Sequence, residues 1–425
     1  MTVPTASVQA VDASISAQAD QLVELYKDIH QHPELGFMEV RTAAIVADAL
    51  RDLGFEVTTG IGRTGVAAVL RNGDGPTVMY RADMDANAVA EASGFDYAST
   101  VRVVREDGTE SPVAHMCGHD AHVVWMLGMA RFLAEHRDLW TGTAVLIGQP
   151  AEEPITGAKA MVADGLYDVI PKPDHFIGIH TAPIPVGMVV SAPGVLMAGT
   201  DQIDITIHGV GGHGSMPQLT KDPVLMAALA ITQYQSIVSR TITPQETAVL
   251  TVGSVQAGAD NNVIPSSALI KANIRWFEES VREKLLNGIH AITDAIATAY
   301  EVPDTRRPEY TLKGGSTPLV NDEALAGRLA DTFASVLGEQ AVIREFPAVT
   351  GSEDVHLLKG PHDEIDFTFT YLVVGVADPA ACAAARARGD MFPYSAHSPD
   401  FVVELDAIAL GARLASYAML ELLRR

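Results

Sequence analysis

A chain of 425 residues exceeds what one hydrophobic core usually organises, so two domains are expected. Hydrophobic residues make up 48% and charged residues 19%, a globular balance and not a disordered one. The 29 basic and 53 acidic residues leave a formal charge of -24, which repels phosphate backbones and anionic lipid and argues against nucleic-acid or membrane-surface binding. The two cysteines, Cys117 and Cys382, do not make a disulfide framework and suit a reducing compartment. Met1 to Asp20 lacks the basic patch and apolar run of a signal peptide, and no apolar stretch approaches the ~18 residues of a membrane span. The expected setting is soluble and cytoplasmic.

In chain order, a loose polar start gives way to helical periodicity from Ala17 to Ile29, through Leu22, Val23, Leu25 and Tyr26. Pro33 ends it, because the residue before a proline is pushed out of the helical region. The His30 and His32 pair at that end reads as a structural helix terminus in preference to a metal site. A second helix is expected from Glu39 to Leu53, closed by Gly54. Strands follow at Val66 to Leu70 and Thr77 to Arg81, parted by the Asn72-Gly73-Asp74-Gly75 turn. The second delivers Asp83 and Asp85 to its carboxyl end, where open α/β sheets gather ligands. Thr100 to Val113 reads as an insertion carrying an Asp107-Gly108 hairpin turn.

Then comes His115-Met116-Cys117-Gly118-His119-Asp120-Ala121-His122, one cysteine and several imidazoles in eight residues. A helix from Val123 to His136 follows, then a buried strand at Thr143 to Gly148 that leads into Glu152-Glu153. A short strand at Phe176 to Gly178 ends at His180. Strands that alternate with helices and present polar residues at their ends argue for an α/β core.

The pattern changes near Gly199. Gln202 to His208 alternates as a half-exposed strand, and Gly209 to Gly214 is glycine-rich around His213. A helix at Pro223 to Ser239, strands at Val249 to Val255 and Ala268 to Phe277, a helix at Val281 to Tyr300 and a strand near Tyr310 complete a βαββαβ order, the ferredoxin-like split arrangement. The glycine-rich signature lacks the Lys-Ser/Thr that completes a phosphate loop. The α/β pattern resumes after Gly314-Gly315, so residues 199–313 are read as an insertion into a catalytic domain formed by 1–198 and 314–425. The returning part has a helix at Asp322 to Leu337, the loop Thr350-Gly351-Ser352-Glu353-Asp354, a strand at Phe367 to Val374, the His397 loop and a closing helix at Leu405 to Leu423. The alanine-rich Ala380 to Arg388 is too short to assign.

Cys117, His119, Glu153, His180 and His397 all fall at strand ends or in loops, and thiolate, imidazole and carboxylate are the donors that zinc and related ions prefer. Five ligands exceed what one tetrahedral ion takes from protein while keeping a position open for water. They suit two ions ~3.5–4 Å apart. Glu152 stands beside a ligand and is free to act as the base, since adjacent carboxylates often divide metal binding from proton transfer. The rival, Cys117 as a nucleophile with His119 as its base, lacks an orienting third group and places the histidine poorly.

A run of motifs then spans almost the whole chain: His30-Gln31-His32-Pro33-Glu34-Leu35, Arg81-Ala82-Asp83-Met84-Asp85-Ala86, His115 to Asp120, Gln149 to Glu153, His180-Thr181-Ala182-Pro183, Gly211-Gly212-His213-Gly214, Asn262-Val263-Ile264-Pro265, Gly351-Ser352-Glu353-Asp354 and His397-Ser398-Pro399-Asp400-Phe401. In that order they resemble the aminoacylase and carboxypeptidase G superfamily of dinuclear metallohydrolases. The nearer resemblance is to the branch holding indole-acetyl-amino-acid hydrolases, hippurate hydrolases and N-acyl-glutamine aminoacylases. It implies a mixed-sheet α/β catalytic domain with an inserted ferredoxin-like lid that often forms a homodimer. It places Cys117 where most of the superfamily has a metal-bridging aspartate, with His119, Glu153, His180 and His397 as the other ligands to two Zn2+ or Mn2+ ions. Asp83 supports these ligands, Glu152 matches the general base, and His213 matches a residue that stabilises the oxyanion. Asn262 and Arg275 match lid residues for the substrate carboxylate and scissile carbonyl, with Gly351 and Ser352 also on the substrate side.

Two departures bear on substrate choice: Asn87-Ala88 stands where the branch usually has Leu-Pro, and the 100–113 insertion precedes the metal cluster. The expected activity is metal-dependent hydrolysis of an N-acyl-amino acid to a carboxylate and a free amino acid. The alternative is a dipeptidase or carboxypeptidase on the same scaffold.

Overall fold

The computed structural model describes residues 4–105, 108–360 and 367–423. The chain separates into two compact units, one of Met1–Gly194, Val320–Pro347 and Asp354–Arg425, the other of Val195–Leu319 and Ala348–Glu353. The first opens with α1 (Thr5–Gln31), which begins well before Ala17. Its early turns bury Ser7, Val11 and Ile15, a stripe too diluted by small polar residues to read as helix from periodicity. Helix α2 (Val40–Asp52) follows, then β1 (Glu56–Ile61), β2 (Gly65–Asn72) and β3 (Thr77–Asp83). In the insertion, Arg102–Val104 pairs antiparallel with Glu110–Pro112; Asp107 of the expected turn lies outside the described residues.

Helix α3 (His119–Glu135) starts within the histidine cluster, earlier than Val123. Gly118 is the reason: it takes the left-handed conformation at the N-cap, with φ +82°, and lets the chain turn from Cys117 straight into the helix. Strand β4 (Gly142–Gln149) leads to Glu152, and β5 (His175–Pro185) is far longer than the expected three residues. His180 therefore sits inside a strand and not at its end, because Thr181 and Ala182 continue the parallel pairing.

The second unit contains β6 (Gly199–His208), α4 (Pro223–Arg240), β7 (Ala248–Ala257), β8 (Ser267–Trp276), α5 (Glu279–Ala299) and β9 (Glu309–Ser316). Its antiparallel sheet runs β7-β8-β6-β9, the split βαββαβ arrangement. Ile203, Ile205 and Ile207 alternate inward from β6 and pack with Tyr234 and Ile237 of α4 and Leu285 and Ile289 of α5. Residues 348–353, expected with the catalytic domain, belong here: Val349 N–H donates to Leu196 O and Ala198 N–H to Gly351 O, each at 2.9 Å. A six-residue return carries no compositional mark.

Back in the first unit come α6 (Glu323–Leu337), β10 (Thr368–Ala377), α7 (Pro379–Arg388) and α8 (Asp406–Leu423). The alanine-rich stretch is thus a helix, held by its ends: Asp378 accepts from Ala381 N–H, Pro379 opens the first turn, and Gly389 closes it in the left-handed conformation. The sheet runs β1-β2-β4-β3-β5-β10, extended by Val189–Val190 and Val342–Ile343. Strands β4, β3, β5 and β10 are parallel, so their carboxyl ends share one side. Helices α1, α3 and α8 pack together over this sheet. They meet at Gly128, where a Cβ would lie 3.0 Å from Ala412 and 3.1 Å from Leu22, and at Gly411, which lies flat against the Trp125 ring. Trp125 Nε1–H donates to Ala407 O at 3.1 Å, pinning α3 to the start of α8.

Candidate metal centre

The carboxyl end of β3 supplies two aspartates with different work. Arg81 is fully buried, donating from Nη1 to Asp83 Oδ2 at 2.7 Å and from Nε to Gln149 Oε1 at 2.8 Å. Asp83 Oδ1 faces His122 Nδ1 at 2.5 Å, and against the pull of burial the Arg81 cation, with the His119 and His122 rings beside it, holds its carboxyl well below the usual range. His122 Nε2 accepts the Thr181 N–H at 2.9 Å, so its proton is on Nδ1 and no lone pair remains for a metal. Burial keeps it neutral, lowering its pKa to about 4. His122 is therefore a brace between β3, α3 and β5.

Asp85 works on backbone. Its Oδ1 accepts from Glu152 N–H at 3.1 Å and its Oδ2 from Glu153 N–H at 3.0 Å. Those two bonds aim both glutamates from the turn after β4. Thr181 Oγ1 donates to Cys117 O at 2.6 Å, while His180 Nδ1 donates to Thr181 O at 2.7 Å. The His180 proton is thereby kept on Nδ1, and Nε2 faces Cys117 Sγ at 3.6 Å. His397 reaches in from its loop with φ +65°, its N–H on Met116 O at 2.7 Å and its Nε2 3.2 Å from Glu153 Oε2. His119 Nε2 lies 3.8 Å from Glu153 Oε1 and 3.9 Å from Glu152 Oε2.

Cys117, His119, Glu153, His180 and His397 thus come together, with Glu152 beside them. Ligand atoms of Cys117, Glu153 and His397 lie within 4.8 Å of one another, as do those of His119, Glu152 and Glu153. Against burial and the Glu153 charge, His180 and His119 pull the Cys117 thiol down to about 6, which favours the thiolate a metal needs. Against burial, His397 and His119 hold Glu153 down to about 2. Both ring nitrogens of His119 and Oε1 of Glu153 are buried without a well-formed hydrogen bond among the described residues, His119 Nδ1 standing 3.4 Å from Asp85 Oδ1. Buried polar atoms without partners are costly, and here an imidazole and a carboxylate converge on one space beside the soft Cys117 sulfur. The residues fit a divalent metal pair.

Asp120, engaged by His30, is not a ligand in this geometry, and His115 is in none of the described groups whose ligand atoms lie within 4.8 Å of one another. Asp120 Oδ2 lies 2.6 Å from His30 Nδ1, whose Nε2 meets Glu91 Oε1 at 3.1 Å. His30 is a buried bridge between two carboxylates, while His32 is exposed on Asp28. The helix-terminus reading of that pair holds. Asn87, the departure from Leu-Pro, accepts the Met116 N–H on Oδ1 at 3.1 Å and so ties its loop to the Cys117 turn.

In the second unit, His213 and Asn262 share a small turn: Gly212–His213 pairs with Val263–Ile264, and Gly214 N–H donates to Asn262 O at 2.7 Å. Ser215 N–H donates to His213 Nδ1 at 3.1 Å, which puts the proton of the neutral ring on Nε2. Arg275 gathers the other two expected residues, donating from Nη1 to Thr350 O at 2.6 Å and to Ser352 Oγ at 3.3 Å, beside Gly351.

Sequence reasoning missed the supports: Asp85 as a backbone clamp, His122, Arg81 and Gln149. The last also donates to Asp354 Oδ1 at 2.6 Å. Only the position of Asp85 at a strand end hinted at any of them.

Residues 79–419 match the model of peptidase family M20/M25/M40. The chain is 34% identical over 348 residues to N-acetyl-L-cysteine deacetylase of Bacillus subtilis, covering 81% of this chain and 79% of that protein. It is 39% identical over 276 residues to hippurate hydrolase of Campylobacter jejuni, covering 64% and 69%. Among solved structures, it superposes with a TM-score of 0.71 on the Bacillus subtilis YXEP protein, a dinuclear metal-binding peptidase, at 25% identity, over 96% of this chain and 99% of that one.

Proposed function

The chain belongs to peptidase family M20/M25/M40, and from that premise we propose that it hydrolyses the amide bond of N-acyl-amino acids, releasing a carboxylate and a free amino acid. The observation that carries this is the convergence of Cys117, His119, Glu153, His180 and His397 on one space, with buried unpartnered donors and a second glutamate alongside. We assign these five as ligands to two divalent ions, zinc or manganese. Cysteine ligation favours zinc by softness. When bound, the ions supply Lewis acidity to the scissile carbonyl and acidify the attacking water.

The chain's own residues do the rest. Glu152, its backbone held by Asp85, takes the water's proton and delivers it to the leaving nitrogen. His180 and Glu153 keep their orientation through Thr181 O and Asp85, so the ligands are fixed before substrate arrives. His213, with its proton on Nε2, is a donor suited to a developing oxyanion. Arg275, backed by Ser352, suits the substrate carboxylate, and Asn262 and Gly351 are assigned to substrate binding with it.

We further read the protein as a cytoplasmic homodimer joined through the second unit. In support, α4 exposes Val224, Leu225 and Leu229, and the edge strand β7 exposes Val255. Both cysteines are free, and no helix among the described residues is long and apolar enough to cross a membrane. The test is a matrix of N-acyl-amino acids and dipeptides offered to enzyme reconstituted with Zn2+ or Mn2+. Turnover of dipeptides with none of N-acyl-amino acids would move the reading to a dipeptidase.

A further inference from the structure

Glu39 is a buried carboxylate that the mechanism above does not use. It occupies the N-cap position of α2, yet its side chain makes no cap bond. Glu34 caps instead, accepting from the N–H groups of Arg41 and Thr42 at 2.9 Å each. Released from that work, Glu39 turns inward and is fully buried. Its Oε1 accepts the Ala151 N–H at 2.8 Å, and its Oε2 meets Thr64 Oγ1 at 2.5 Å. Burying a carboxylate on two neutral partners is expensive, and burial with the nearby Asp85 charge pushes its pKa up to about 7. A solvent-facing glutamate would serve helix α2 as well.

What Glu39 holds is the residue before the base. Ala151 has φ +48°, a left-handed conformation that a non-glycine residue adopts only at a steric cost. Three consecutive N–H groups, of Ala151, Glu152 and Glu153, therefore end on two buried carboxylates, Glu39 and Asp85. Gly36 closes the arrangement, since a Cβ there would stand 3.1 Å from both Cα and Cβ of Ala151. The segment that carries it is tied to the exit of β3 by the Ala86 N–H on Glu34 O at 2.8 Å.

We propose that Glu39 is a positioning residue for Glu152: by holding Ala151 in its strained conformation, it sets the direction from which the base faces the reacting atoms. This rests on Glu152 being the base. Asp85 fixes the two amides that follow and so retains Glu153, the ligand. Loss of Glu39 lets Ala151 relax and leaves the adjacent Glu152 amide on its single Asp85 bond, so the direction of the base shifts while Glu153, one residue further from the pivot, stays in place. A misplacement of ~1 Å at a reacting group costs on the order of 10²-fold in rate.

The test compares Glu39→Ala, Glu39→Asp, Glu39→Gln and Glu152→Gln as metal-loaded enzymes, with kcat, KM, metal content and thermal midpoint measured on each. Glu39→Ala is expected to lose ~30–100-fold in kcat, with KM within about threefold and both metals retained. Glu39→Asp, a methylene short of Ala151 N–H, should lose ~10-fold, and Glu39→Gln, whose amide oxygen can still accept, should recover most of the loss. The metal content and the recovery by glutamine separate positioning from general destabilisation. Turnover of Glu39→Ala within threefold of the parent overturns the proposal, and so does a kcat loss that follows loss of metal. If Glu39→Ala does not fold, Glu39→Asp decides by the same limits. Near-normal turnover in Glu152→Gln removes the base assignment itself, whereas an inactive Glu152→Gln beside fully active Glu39 variants removes this proposal alone.

Discussion

His30 offers a stability prediction whose sign and size follow from its surroundings. Its ring sits between Asp120 at 2.6 Å and Glu91 at 3.1 Å, and its side chain is only 4% exposed. Burial alone would lower its pKa, but hydrogen bonds and charge from the two carboxylates win and raise it from 6.5 to about 9. A histidine whose folded pKa is raised stabilises the fold fully below the unfolded pKa and loses that contribution as pH rises through the folded one. The window is therefore from about 6.5 to about 9, and the contribution is about 3 kcal/mol at its low-pH end.

The assay is urea unfolding of the parent and His30→Gln from pH 6 to 10, at fixed metal loading, followed by tryptophan fluorescence. Two of the three tryptophans, Trp125 and Trp140, are buried in the first unit and report on it. The stability gap between the two proteins should be widest at pH 6 and narrow by about 3 kcal/mol toward pH 10. Taking the difference removes other titrating groups, such as Glu39 and Cys117, which are common to both. A gap that stays constant across the range would falsify the bridging role of a charged His30.

The remaining predictions concern chemistry. Glu152→Gln should keep both metals and lose at least ~10²-fold in turnover, checked by kcat beside metal analysis. Cys117→Ser should weaken metal retention in chelator competition, since an alcohol is a poorer anionic ligand than a thiolate; chelated enzyme that stays active but dies on thiol alkylation would hand the reaction to a cysteine nucleophile. His213→Ala should lower kcat by ~10²–10³-fold at unchanged metal content, whereas Arg275→Ala should raise KM. If His213 serves the partner's site, mixing inactive His213→Ala with inactive Glu152→Gln regenerates activity; no recovery after proven subunit exchange confines it to its own subunit or removes it from catalysis.

The candidate ligands were legible because metal chemistry draws on rare residue types. A cysteine in a chain with two, and histidines clustered beside it and recurring near later strands and loops, stand out from the background of a packed α/β core. The inserted unit was legible too, through the alternation of β6 and the helical runs of α4 and α5. The start of α1 and the helix α7 were not, because alanine and serine leave no stripe, and α7 depends on its caps more than on its face. The length of β5 was hidden for another reason. His180 and Thr181 are polar residues in a strand whose parallel partner, β10, is paired on past them.

Asp83 and Asp85 show why the supporting residues left so little trace. They are the same residue two positions apart at the end of one strand, and nothing in Asp-Met-Asp distinguishes them. The fold gives Asp83 a cation and two imidazoles, which hold it ionised, and it spends its oxygens on side chains: Arg81 and His122. Asp85 has no arginine of its own; burial raises its pKa, and it spends its oxygens on the amides of Glu152 and Glu153. An acceptor satisfied by backbone N–H asks nothing of the sequence it contacts, since every residue but proline offers that donor. Glu39 on Ala151 is the same case. Residues that carry the chemistry must be particular and so can be read from a sequence, while those that aim them through amides become visible only once the chain is folded.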